Sequence, residues 1–123
     1  MFQYEAKLLQ IVDGDTLKLQ IDLGFNVHII EVVRLVRINT PETVHFSARG
    51  IEDPARRYIE ENCPVGTVLV VDISRREKYG RWLAEVRFLP GEVDRVKILQ
   101  NPRNLNDELL RAGLALPYAG GKR

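Results

Sequence analysis

From Thr16 to Leu23 the chain alternates, with Leu17, Leu19, Ile21 and Leu23 on one face and Lys18, Gln20 and Asp22 on the other. A period of two marks a strand with one buried face, because successive side chains point to opposite sides. The run is entered through Asp13-Gly14, a tight-turn signal, and left through Gly24-Phe25-Asn26. The flanking segments, Tyr4 to Val12 and His28 to Ile38, also read as strands. Three consecutive antiparallel strands of this kind predict a strongly curved meander.

Asn39-Thr40-Pro41-Glu42 stops the third strand, since proline cannot donate to a ladder. A polar loop follows. Asp53-Pro54 then starts a helix, with Asp as cap and Pro in the first turn, and Pro64 and Gly66 end it beyond Cys63. Thr67 to Ser74 is a valine-rich fourth strand, and Arg81 to Phe88 a fifth, joined by the basic loop Arg75-Arg76-Glu77-Lys78-Tyr79-Gly80. Residues 91–103 are ambiguous, with Val93, Val96 and Ile98 compatible with a short edge strand. Asn104 or Asn106 caps a last helix, Leu105 to Ala112, which Gly113 ends. The pattern predicts a mainly β chain with helices: a five-stranded Greek-key barrel of the oligonucleotide-binding (OB) type with two to three α-helices, in one domain over residues 1–123.

Apolar residues make up 45% and charged residues 28% of the chain, which excludes a disordered segment. No apolar run approaches the roughly 20 residues a membrane-spanning helix needs. Met1-Phe2-Gln3-Tyr4-Glu5 is not a signal peptide, so the expectation is a cytoplasmic protein, or a secreted one whose signal has been removed. With Cys63 as the one cysteine, no internal disulfide or thiolate zinc cluster can form, and Cys63 reads as a core residue. Net charge is +1, yet the 18 basic residues are mostly arginine, whose planar fork holds phosphate with two bonds.

Two residues break the strand pattern. Asp15 shares parity with Leu17, Leu19 and Ile21, so its carboxylate is expected to point toward the barrel end. Arg34 falls among Ile30, Val32, Val36 and Ile38, an arginine on what reads as an apolar face. A buried charge is costly unless paired. Asp15 and Arg34 come from neighbouring strands, and the pair reads either as an ion pair that fixes register or as a site awaiting a metal and a phosphate. Thr40 and Glu42 follow at the end of the same strand, where Asp15, Asn39 and Glu42 offer oxygen atoms of the kind hard cations such as calcium or magnesium take. A carboxylate left over can orient or deprotonate a water. Lys78-Tyr79-Gly80-Arg81 could bring Arg81 opposite Arg34, and two arginines around a metal make a clamp for a phosphorane-like transition state.

Taken together, Val12-Asp13-Gly14-Asp15-Thr16-Leu17-Lys18-Leu19, the run Arg34 to Thr43, Lys78-Tyr79-Gly80-Arg81 with Leu83-Ala84, and Leu105 to Ala115 resemble the staphylococcal nuclease-like (thermonuclease) family. The strings occur in family order over most of residues 5 to 118. The resemblance implies a five-stranded OB barrel and calcium-dependent, sugar-nonspecific endonuclease hydrolysis of DNA and RNA, by in-line attack of water on phosphorus. By position it implies Asp15 as a calcium ligand, Thr40 as a ligand through its carbonyl, Glu42 as the water-orienting general base, and Arg34 and Arg81 as the phosphate-binding arginines. Lys78, Tyr79 and Tyr118 would line the nucleotide pocket, where a tyrosine stacks on any base. The expected substrates are single-stranded or frayed nucleic acid, with no membrane and no obligate protein partner.

Two departures from the family pattern stand out. Asn39 occupies the place of an aspartate ligand, so calcium should bind more weakly or another divalent cation be preferred. The chain also ends at Arg123, without the terminal helix of longer members. The alternative reading, motivated by Asn39, is a catalytically weakened barrel that binds nucleic acid or a protein.

Overall fold

The computed structural model of the protein describes residues 2–101 and 103–118. In chain order the elements are β1 (Phe2–Asp13), β2 (Thr16–Asp22), β3 (His28–Leu35), β4 (Ile38–Asn39), α1 (Thr43–Ala48), α2 (Pro54–Asn62), β5 (Val68–Arg76), β6 (Trp82–Phe88), α3 (Arg95–Gln100), β7 (Arg103–Asn104), α4 (Leu105–Arg111) and β8 (Leu116–Pro117). The long strands pair in the order β3-β2-β1-β5-β6, and β6 returns to β3 in parallel. That last pairing, Val33 to Trp82, Arg34 to Leu83 and Leu35 to Ala84, closes the five-stranded barrel expected from the sequence.

β1 can serve two neighbours because it bends. Irregular pairing between Leu8 and Gln10 and between Ile11 and Asp13 shifts the inward positions from Ala6 and Leu8 to Ile11. An extra residue in one strand raises its local twist, as barrel closure requires. The interior is filled by Leu17, Leu19 and Ile21 from β2, Leu69, Val71 and Ile73 from β5, and Ala84, Val86 and Phe88 from β6. Ala55, Ile59, Leu105 and Leu109 from α2 and α4 close it from outside. Cys63 is 1% exposed within this core, and burial pushes its thiol up to about 12. No helix among the described residues is long and apolar enough to cross a membrane.

Four features differ from the sequence reading. First, β3 ends at Leu35 rather than Ile38. Arg37 turns the chain in the left-handed region (φ 72), a conformation that costs a side-chain-bearing residue about 1–2 kcal/mol. Its guanidinium is held there by Glu85 at 2.5 and 2.7 Å and Asp107 at 2.9 Å. The residues beyond, Ile38 and Asn39, pair instead with Pro117 and Leu116.

Second, the core face of β3 carries the odd positions Val33 and Leu35, while Arg34 pairs with Thr16 on the other face. Third, the polar loop after Glu42 contains α1, whose Thr43 N–H donates to Asp13 Oδ1 at 2.9 Å. Fourth, residues 91–103 hold a helix. Asp94 caps it through the Val96 N–H at 2.8 Å, Ile98 turns inward, and Val93 and Val96 stay exposed. The edge strand falls later, at β7. These additions raise the helix count among the described residues to four.

Asn104 is the cap of α4, through the Asp107 N–H at 3.0 Å. Asn106 does something else. Fully buried, it accepts from the Val86 N–H and donates to the carbonyls of Val36 and Ala84, each at 3.0 Å, tying α4 to the strands that close the barrel.

Gly14 is required for space rather than for backbone freedom. Its φ is not positive, but a Cβ there would lie 2.7 Å from Ala55 Cβ and 2.9 Å from Thr40 Oγ1. Gly14→Ala should therefore destabilise the fold by about 1–3 kcal/mol in urea unfolding, through overpacking. Ala55→Gly in the same chain should restore part of the loss. An unchanged midpoint in the single variant would show that α2 yields without cost.

Candidate active site

Asp13 and Asp15 flank Gly14, and the two carboxylates grip one neighbouring segment at two points. Asp13 Oδ1 accepts the Thr43 N–H, and Asp15 Oδ2 accepts the Thr40 N–H at 3.1 Å. Asp13 thus does more than belong to the turn. Pro41 and Glu42 are held between these anchors, and Glu42, the residue before α1, leaves its carboxylate exposed with no side-chain capping bond. Close approach of Gly14 to Thr40 permits the arrangement.

Asp15 lies in the turn rather than in β2, so the strand parity does not govern it. Its side chain is 7% exposed and that of Arg34 is 4% exposed, and the two groups stand 3.8 Å apart. Burial at this level makes the pairing obligatory. The Thr16 hydroxyl donates to the other Asp15 oxygen at 3.0 Å. Arg34 Nη2 donates to the Ile38 carbonyl at 3.1 Å and to Asn39 Oδ1 at 3.2 Å. The ring of Tyr118 lies 4.8 Å from the Arg34 guanidinium carbon, a cation–π distance, and Tyr118 is placed there by its N–H bond to the Arg37 carbonyl.

Arg81 reaches the same place from the β5–β6 turn. Its Nη1 is 3.4 Å from Thr16 Oγ1, the hydroxyl bonded to Asp15. Glu77 holds the other edge of the guanidinium, Oε1 to Nε at 3.0 Å and Oε2 to Nη2 at 3.3 Å, and also accepts the Arg81 N–H. The side-chain bonds from Arg81 hold Glu77 below its ordinary carboxyl value, and the same bonds raise Arg81. Glu77 is the residue that the sequence reading passed over. Its signal is the spacing of four across a glycine turn, which lets an acid face a base.

The structure therefore gathers Asp15, Arg34, Asn39, Thr40, Arg81 and Tyr118, and fixes Glu42 on the adjoining segment. Lys78 and Tyr79 are exposed at the tip of the turn that carries Arg81, with the Lys78 ammonium 5.2 Å from the Tyr79 ring centre. Among the described residues no hydrogen bond joins that pair to Asp15 or Arg34. The oxygen donors are hard: one carboxylate, one amide oxygen and the Thr40 carbonyl. Thr40 Oγ1 is in addition buried with no hydrogen-bond partner. These are the donor types that a hard divalent cation takes, while both Asp15 oxygens accept protein hydrogen bonds and, among the described residues, no three His, Cys, Asp or Glu side chains are grouped as a metal site.

A closed OB-type barrel that gathers a buried carboxylate and two arginines around Thr16 defines a small barrel with a charged polar site. The chain belongs to the staphylococcal nuclease homologue family, whose model matches residues 32–122. That match spans Arg34, Asn39, Thr40, Glu42, Lys78, Tyr79, Arg81 and Tyr118, while Asp15 lies before it. A similar protein is the probable endonuclease LCL3 of Schizophyllum commune, 29% identical over 92 residues. The match covers 70% of this chain and 29% of that protein, so the chain spans under a third of its relative's length.

The Glu77–Arg81 contact has a definite pH dependence. A carboxyl depressed by a folded-state partner adds stability above its ordinary value, and loses it as pH falls through the folded value. Carbon-detected NMR titration should find Glu77 ionising below its ordinary range, and Arg81→Gln should return it upward. An identical titration in both proteins would show that Arg81 is not the cause.

Proposed function

We propose that the chain is a divalent-cation-dependent phosphodiesterase, an endonuclease that hydrolyses DNA and RNA by in-line attack of water on phosphorus. The observation that carries this reading is the convergence of Arg34 and Arg81 on the Thr16–Asp15 pair. An isolated structural ion pair gives no reason for a second arginine, anchored by its own acid, to reach the same hydroxyl. Membership of the family and the likeness to a probable endonuclease point the same way.

In this reading Asp15, Asn39 and the Thr40 carbonyl would hold the cation, calcium being the first candidate, which when bound supplies positive charge beside the phosphate. Arg34 and Arg81 donate to the non-bridging oxygens, whose negative charge grows as phosphorus becomes five-coordinate. Both are positioned beforehand, Arg34 by Ile38 and Asn39 and Arg81 by Glu77, so little reorganisation accompanies the reaction. Glu42 orients the attacking water and accepts its proton as the new P–O bond forms. The bond to the leaving sugar oxygen breaks, and that oxygen takes a proton from solvent. Tyr79 and Tyr118 offer stacking faces that suit bases of any identity, and hence unpaired or frayed strands.

Asn39 bears on rate and metal affinity. Its Oδ1 accepts from Arg34, so it stands in the site with the geometry of an acid but without the charge. Degradation of single-stranded DNA with calcium raised into the millimolar range tests the proposal. Glu42→Ala and Arg81→Ala should each lower kcat by about 10²–10⁴-fold. Absence of cleavage with any divalent cation, or cleavage that survives both substitutions, would overturn it. Asn39→Asp should tighten calcium binding in calorimetry. A large gain in cleavage from a nearly inactive wild type would instead favour a barrel that binds nucleic acid after losing activity.

A further inference from the structure

The sheet register extends the site beyond the groups just described. Thr16 pairs with Arg34, Arg34 with Leu83, and Leu83 with Arg75. Directly paired residues share a face, so Arg75 lies in the same row as Arg34, on the face away from the core. The assignment is checked at the next pair, where Arg76 meets Trp82 on the opposite face and lies 5.2 Å from its ring. Two strand spacings separate Arg34 from Arg75, about 10 Å between backbones. An extended strand covers that distance within a nucleotide or two.

Arg75 also differs from most arginines of this chain in having nothing to do. Arg37 is held by Glu85 and Asp107, Arg87 by Asp72, and Arg103 by Glu108. Arg75 is exposed and, among the described residues, makes no hydrogen bond or ion pair. The acids close to the row are engaged, Glu77 by Arg81 and Asp15 by Thr16 and Thr40.

We propose that Arg75 binds a neighbouring phosphate of the strand whose scissile phosphate sits at Arg34 and Arg81. This rests on the nuclease reading and adds to it a residue that positions the strand beside the scissile phosphate.

Fluorescence anisotropy with a short labelled oligothymidylate, in chelator so that the strand stays intact, tests it. The wild type should bind with a salt-dependent affinity. Arg75→Gln should weaken binding by about three- to tenfold and reduce the slope of log affinity against log salt by about 0.7, the share of one phosphate contact on a single strand. Arg75→Lys should keep the slope, and Arg111→Gln, an exposed arginine on α4 outside the row, should change neither quantity. Wild-type affinity and slope in Arg75→Gln would overturn this inference and leave the nuclease reading standing. A wild type that neither binds the strand nor cleaves DNA when calcium is restored would remove both.

Discussion

The carboxylate of Asp15 is the contact on which the rest of the site depends. It touches three parts of the chain at once: the Thr16 hydroxyl, the Thr40 amide and the Arg34 guanidinium. Nearly complete burial makes each contact matter more, since solvent does not replace a lost partner. Through Thr40 it fixes the approach to Glu42, and through Thr16 it comes within one side chain of Arg81. One short turn thereby determines where groups from β2, β3, the segment before α1 and the β5–β6 hairpin meet.

Much of this arrangement is legible in the sequence, though not always for the reason the sequence suggests. The strand Thr16–Asp22 follows from its alternation, because Leu17, Leu19 and Ile21 all face the core. Arg34 stands out as a charge among apolar residues, and it is indeed buried. Its face is the opposite of the one that parity implies, because Ile30 is exposed, Val32 half-buried, and Val36 and Ile38 lie beyond the end of β3. The turn at Arg37 is not legible, since its left-handed backbone is held by Glu85 and Asp107, which are remote in sequence. The role of Asn106 is hidden for the same reason: a buried amide that bonds Val86, Val36 and Ala84 reads locally as one more helix-start residue. Gly14 is legible as a turn, while the contact that forbids a side chain there comes from α2.

The two arginines are supported in different ways, and this divides the work. Arg34 is enclosed by protein, with carbonyl, amide and aromatic contacts that fix its plane. Arg81 is more open and is steered by Glu77, on a hairpin whose tip is exposed. The enclosed group is fixed by its surroundings, whereas the hairpin group is fixed by one acid four residues away, on the same turn that carries Lys78 and Tyr79.

The seam where the barrel closes has a further consequence. β3 and β6 meet over three residue pairs, where β2 and β3 meet over seven, and Arg34 occupies the middle pair of the short join. Local opening favours segments with few cooperative contacts, and a short ladder supplies fewer of them. An opening at this join would separate the strand of Arg34 from the strand that follows Arg81. In the proposed reading, an anion bridging the two arginines would act as a clasp across the seam and would link occupancy of the site to integrity of the barrel.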